Sequence, residues 1–254
     1  AVDVLVVKKV DVEVDALDPR LEGLTIAQIS DLHVSSAFRK ERMERIVREV
    51  NALNPDMIAI TGDFVDGEVK DRAGDLAPLK DLRAPLGVWG CEGNHEHYVD
   101  YDGWRRFLPS LGVKMLYNAH AVVEKNGASI VVAGLVDPMG GLRFGRELPN
   151  SAKAFEGAPQ DVLRVLLLHQ PKFAPRVGGK ADLILSGHTH GAQIFVLDPI
   201  VEKLNQGFVK GLYNLSDGVK LYVSPGTDVW NGFLLRIGTA GEITLLTLKR
   251  AQTH

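Results

Sequence analysis

Two carboxylates, one amide and five imidazoles recur along the chain just after short apolar runs, a donor set suited to divalent metal ions. Asp31 and His33 follow the run at 24–30, Asp63 follows 57–61, and Asn94, His95 and Glu96 follow 87–91. His169 follows 162–168, and His188 and His190 follow 183–185. Four of the five histidines are read as ligands. Oxygen and imidazole donors without thiolate suit Mn, Fe, Zn, Co or Ni better than Ca or a structural zinc. Seven protein ligands exceed what one ion needs. With one carboxylate shared they fit two ions about 3.5–4 Å apart, the arrangement used for displacement at phosphorus. Asp63 is the expected bridge. Gly62, Gly93, Gly187 and Gly191 are expected to let the backbone turn sharply and approach an ion closely. Each short motif is common alone; five in order, each after an apolar run, is a specific signal.

Those runs read as strands. Between the first two, Met43, Ile46, Val47, Val50 and Leu53 stand at helical spacing, and Pro55 ends the helix, giving a βαβ unit. The alternation continues with a helix expected at 76–83, a strand at 87–91, a helix around 104–111 and strands at 121–124 and 129–134. Buried strands at 162–168 and 183–185 follow. The segments 221–224, 233–237 and 243–248 predict a purely β, antiparallel C-terminal part. Residues 2–15 alternate valines with mostly charged residues, as in a half-buried strand. The pattern predicts an α/β sandwich in which two sheets pack together with helices outside. The whole chain, 1–254, is expected to form one domain, with the metal motifs at 31–191 and a strand-rich part at 192–250. Ligands of α/β sheets bind beyond the carboxyl ends of strands, so the five clusters are placed to converge.

Composition excludes several classes. Of 254 residues, 45% are hydrophobic and 24% charged, ordinary for a folded protein and unlike a disordered or fibrous chain. A formal charge of −3 gives no global field for a nucleic-acid polymer. The one cysteine, Cys91, excludes an internal disulfide and reads as a small core residue. No run approaches the roughly 18 apolar residues of a membrane span. The chain starts at Ala1 without methionine, so an anchor or signal outside it is an open expectation, and its localisation is unassigned.

Asp31-Leu32-His33, Gly62-Asp63, Gly93-Asn94-His95-Glu96, His169 and Gly187-His188-Thr189-His190 together resemble the five signature blocks of the calcineurin-like metallophosphoesterases, in family order. The resemblance covers about 24–248. It implies a four-layer α/β/β/α sandwich, with Asp31, His33, Asp63 and His190 on one ion and Asp63, Asn94, His169 and His188 on the other. It also implies a bridging hydroxide as nucleophile, His95 as the catalytic histidine and Asp66 as the carboxylate that orients it. Manganese is favoured for both ions. Two divalent cations would lower the pKa of a shared water and neutralise phosphate oxygens, and an imidazolium at His95 would protonate the leaving oxygen. Asp66 reads equally well as a turn-forming residue before Gly67.

The run at 29–33, Gly191-Ala192-Gln193 and Gly211-Leu212-Tyr213 are similar to the YkuE and YaeI-type branch, with Ala192 where glycine is common. That implies a phosphodiester or pyrophosphate hydrolase acting on lipid-linked, nucleotide-linked or cell-envelope substrates, with peripheral or anchored membrane association. The alternatives are a phosphomonoesterase or protein phosphatase and, from another class, a non-catalytic scaffold. Arg143, Arg146 and Phe208 are the candidate substrate-binding residues. Ile200, Val201, Leu204, Phe208 and Leu212 recur at helix-like spacing, read first as core packing and second as an interfacial element. Glu96 and His97 both admit a reading as solvated loop side chains, which is favoured for His97.

Overall fold

Apolar residues on both faces of the central strands demand cover on both sides, and the computed structural model shows how it is supplied. It describes residues 4–177, 180–192, 198–228 and 240–251. One six-stranded sheet runs β1 (Leu5–Val14), β12 (Gly241–Arg250), β2 (Thr25–Ile29), β3 (Met57–Thr61), β4 (Val88–Cys91) and β5 (Lys114–Met115). The other runs β10 (Gly211–Asn214), β11 (Lys220–Val223), β9 (Leu183–Ser186), β8 (Leu163–Leu167), β7 (Ala128–Gly134) and β6 (Ala119–Lys125). Both are mixed. Period-two alternation assigns the faces: Ile26, Met57 and Ala59 meet Ile130, Val165, Leu167 and Leu185 in a core between the sheets, which also holds Cys91.

The opposite faces carry helices. Ala27, Ile29, Ile58 and Ile60 pack under α1 (Lys40–Ala52), α2 (Val69–Leu76) and α3 (Tyr101–Phe107) through Met43, Ile46, Leu76 and Trp104. Val131, Leu166 and Ile184 pack under α5 (Ser151–Ala154) and α6 (Ala174–Val177) through Ala154, Ala174 and Val177. The result is a four-layer α/β/β/α sandwich. Two more helices, α4 (Pro138–Phe144) and α7 (Asp198–Leu204), follow β7 and β9. At the ligand-bearing end the sheets are tied by Gln28 of β2, whose buried amide donates to the Ser186 carbonyl of β9 at 2.9 Å.

Several expected elements shift. The helix expected at 76–83 lies earlier, as α2, and Pro78 then falls in a 3-10 turn at Ala77–Asp81. The C-terminal strands do not form one antiparallel unit: β11 runs parallel to β9, whereas β12 inserts between β1 and β2, parallel to the first and antiparallel to the second. Among its described residues the N-terminal valine stripe is buried only at Val12 and Val14; Val4 and Val6 are exposed. The strand expected at 233–237 lies outside the described residues. The apolar spacing at 200–212 is split between α7 and β10, because Gly207 and Gly211 take positive φ values of 93° and 97° that no helix continues.

Candidate metal centre

The turns after the strands are built at conformational cost. Asp31, His33, Asp63, His188 and His190 all have positive φ, between 41° and 74°, the left-handed region that costs a non-glycine residue about 1 kcal/mol or more. Backbone lacing holds them there. The Asp31 amide donates to the Gly62 carbonyl at 3.0 Å, His33 to Asp63 at 3.1 Å, and Gly187 to His169 at 3.0 Å. Two glycines allow close approach instead of an unusual φ: a Cβ on Gly93 would overlap the Asp63 carboxylate, and one on Gly187 would overlap Ser30 and Asp31. The Asp31 carboxylate is buried, accepting from Ser30 Oγ at 2.6 Å and from the His188 amide at 3.1 Å.

Donor atoms then converge in three overlapping groups: Asp31, His33 and His190; His33, Asp63 and His95; Asp63, His169 and His188, each within 4.8 Å. Asp63 Oδ2 lies 3.6 Å from His33 Nε2 and 3.2 Å from His169 Nε2, so one oxygen faces both imidazole sets. His190 Nε2 is 3.0 Å from His33 Nε2 and 3.3 Å from Asp31 Oδ1. His169 Nε2 is also 3.2 Å from Asn94 Oδ1 and 3.3 Å from His188 Nδ1. All seven expected ligands are thus brought together.

The hydrogen bonds behind these rings show that the donor set fits metal ions. His169 Nδ1 lies 2.7 Å from the Thr61 carbonyl, which can only accept, so Nδ1 carries a proton and Nε2 is the atom turned toward Asp63 Oδ2 and Asn94 Oδ1. His33 repeats the arrangement: Nδ1 faces Asp66 Oδ2 at 3.2 Å and Nε2 faces His190 and Asp63. Buried carboxylates faced by imidazole nitrogens gather negative charge that a cation would compensate, whether protons or metal ions supply it. Electrostatics agree. Burial opposes charging His169, yet the Asp63 carboxylate outweighs it and holds the imidazole pKa well above its ordinary value. Burial likewise opposes the Asp63 charge, but His169 and His95 hold that carboxyl well below the usual range.

His95 stands at the edge of this group. Its Nδ1 is 2.5 Å from Asp66 Oδ1, and its backbone amide donates to Asp63 Oδ1 at 2.9 Å. Burial alone would lower the His95 pKa, but Asp63 and the Asp66 hydrogen bond raise it to about 9. Asp66 falls to about 2, because hydrogen bonds from His33 and His95 outweigh its burial. Its two oxygens therefore hold one ring from the ligand group and the neighbouring His95 together.

Glu96 and His97 are not solvated. Both are buried, and the Glu96 carboxylate accepts from the amides of Asp63 at 3.0 Å, Phe64 at 2.7 Å and Gly93 at 2.6 Å. It staples the turn after β3 to the turn after β4. Burial and the Asp63 charge push its pKa to about 7 despite those donors. The sequence signal was available, since a Glu three residues after Gly93 can reach back to its amide as in a capping box. Glu96→Ala leaves three buried amides without acceptors, at about 1–3 kcal/mol each. The expected loss of stability is about 3 kcal/mol or more by urea unfolding; an unchanged midpoint would remove the staple from the account.

The three candidate substrate residues part company. Arg146 is engaged with the protein: Nη1 lies 3.0 Å from His97 Nδ1 and donates to the His97 carbonyl at 3.3 Å, while its Cζ lies 4.0 Å from the Tyr101 ring centroid. Phe208 packs edge-on against Tyr213 at the outer core of the second sheet, although the adjoining Val209 carbonyl accepts from Thr189 Oγ1. Arg143 is exposed, with Cζ 5.7 Å from the Tyr98 and Phe144 rings. Tyr98, not singled out from sequence, lies 5.1 Å from the His95 ring and accepts from Asn94 Nδ2 at 3.1 Å.

Comparison with known proteins gives the family and the fold. The family model for calcineurin-like phosphoesterase matches residues 24–192. The chain is 37% identical over 254 residues to a Danio rerio protein described as a transmembrane protein with metallophosphoesterase domain; 96% of this chain and 58% of that protein are covered. It therefore spans less than two thirds of that relative. It is 29% identical over 236 residues to the uncharacterized metallophosphoesterase YkuE of Bacillus subtilis, covering 90% of this chain and 80% of YkuE. Among solved structures, the NAD nucleotidase of Haemophilus influenzae shares the fold, with a TM-score of 0.53 at 16% identity over 79% of this chain and 49% of that one.

Proposed function

The chain belongs to the calcineurin-like phosphoesterase family, and on that premise we propose that it is a dinuclear metal-dependent hydrolase of a phosphodiester or pyrophosphate bond. The observation that carries the reading is Asp63 Oδ2 facing His33 on one side and His169 on the other, with His95 and Asp66 alongside. Asp31, His33, Asp63 and His190 would hold one ion and Asp63, Asn94, His169 and His188 the second, with manganese favoured. When bound, such ions supply Lewis acidity toward phosphoryl oxygens and water.

The chain's own groups do the rest. Asp66 turns His95 Nδ1 toward itself and stabilises the imidazolium, so proton donation to a leaving oxygen would run through Nε2. A pKa of about 9 keeps the ring protonated at neutral pH; that contribution is present below about 9 and is lost as pH rises through it. Asp66→Asn removes the charge that raises the value. The alkaline limb of kcat/KM is expected near pH 9 in the wild type and about one to three units lower in the variant. Superimposable profiles would detach Asp66 from His95.

A phosphoester substrate, lipid-linked or otherwise, and a membrane-associated setting are proposals for the whole protein. The description of the Danio rerio relative supports the second, as do Ile200 and Leu204 of α7, exposed at 58% and 68% beside Lys203. Among the described residues no helix is long and apolar enough to cross a membrane. Assays with bis-p-nitrophenyl phosphate and p-nitrophenyl phosphate in manganese test the reaction class. Turnover of the diester supports the proposal; turnover of the monoester alone defeats it.

A further inference from the structure

Arg143 is held one aromatic ring away from His95 on a helix whose position is fixed from below. The Asp137 carboxylate caps α4 by accepting from the Met139 amide at 2.8 Å and accepts from Gln170, the neighbour of His169, at 2.9 and 3.0 Å. Gly140 lies so close to the buried His97 ring that a Cβ would overlap it. His97 in turn meets Glu92 Oε1 at 2.9 Å through Nε2 and stacks on Tyr101 at 4.6 Å. Arg146 is consumed in that clamp. Arg143 is not: it is exposed, faces two aromatic rings, and has no carboxylate partner among the described residues. Tyr98 and Phe144, 39% and 37% exposed with centroids 6.2 Å apart, complete a cationic and aromatic rim.

The position of that rim decides what it can bind. If His95 protonates the leaving oxygen, the leaving group departs across Tyr98, whose ring lies against His95. We infer that Arg143, framed by Tyr98 and Phe144, binds a phosphate carried by the leaving group, so that the preferred bond is a pyrophosphate. In the implied step a water oxygen bonds to the phosphorus held beside Asp63 and the bridging P–O bond breaks. Its electron pair stays on the departing phosphate oxygen, which takes the His95 proton, while the proton lost by water restores the imidazolium. The products are two phosphate monoesters. A neutral alcohol leaving group would leave Arg143 without a partner.

The inference rests on the hydrolase reading, so its test reads binding rather than turnover. Titration calorimetry on the manganese-loaded protein with methylenediphosphonate and with methylphosphonate measures the preference for a second phosphonate. Arg143→Ala is expected to reduce that preference about ten- to a hundredfold, the worth of one charge-assisted hydrogen bond, and Arg143→Lys to restore part of it. A preference unchanged in Arg143→Ala overturns the subsite. An Arg143-dependent preference in a protein that hydrolyses no phosphoester sustains the subsite and brings down the hydrolase reading instead.

Discussion

Asp63→Ala is expected to lose metal from both positions and to lower turnover by about a thousandfold or more, about 4 kcal/mol of transition-state stabilisation. The expectation follows from one oxygen lying within 3.6 Å of His33 Nε2 and 3.2 Å of His169 Nε2, so that removing it opens both ligand groups at once. Loss of fold is not the expected cause. Asp31 is buried close by, and burial and the Asp63 charge both push its pKa upward, so removing Asp63 relieves that repulsion and partly offsets the lost attraction to His169 and His95. Asp63→Asn separates the effects further, because an amide oxygen can still accept from the His95 backbone but brings no charge. Circular dichroism should show native structure in both variants, with metal content and rate reduced. Retention of both ions by the alanine variant would move the bridge elsewhere.

His95→Ala is expected to do the opposite: to keep both ions and lower kcat by about a hundred- to ten-thousandfold, the range of a lost general acid. The contrast is informative because His95 also lies within 4.8 Å of the donor atoms of His33 and Asp63. Were it a ligand, metal would leave with the ring. Asp66 holds both His33 and His95 through Nδ1, so retention of metal is the measurement that separates the two roles. A variant that loses metal together with activity would reassign His95 to the ligand set.

Much of this was legible in the sequence because parallel strands buried on both faces read as continuous apolar runs, and the turns that follow them carry the polar residues. Runs ending at Asp31, Asp63 and His169 therefore located both the sheet and the donors. What the sequence withheld was adjacency. That Glu96 reaches the Asp63 amide depends on β3 and β4 pairing with Thr61 opposite Cys91, a register with no local signature. The burial of His97 depends on Glu92, Tyr101 and Arg146, the last 49 positions away in sequence. Propensity misled where a spacing was real but interrupted. The apolar residues at 200–212 match a helical period, yet positive-φ glycines divide them between α7 and β10. The C-terminal strands looked like one antiparallel unit because pairing partners more than 200 residues apart, such as Leu245 and Ala27, leave no trace in a local window.

Metal stoichiometry tests the central claim most directly. The protein is stripped with a chelator, reloaded with manganese, dialysed and assayed by plasma mass spectrometry. Two equivalents per chain are expected, falling with acid as imidazoles protonate. A saturating value of one equivalent or none, in a natively folded sample, would contradict a centre built on Asp63.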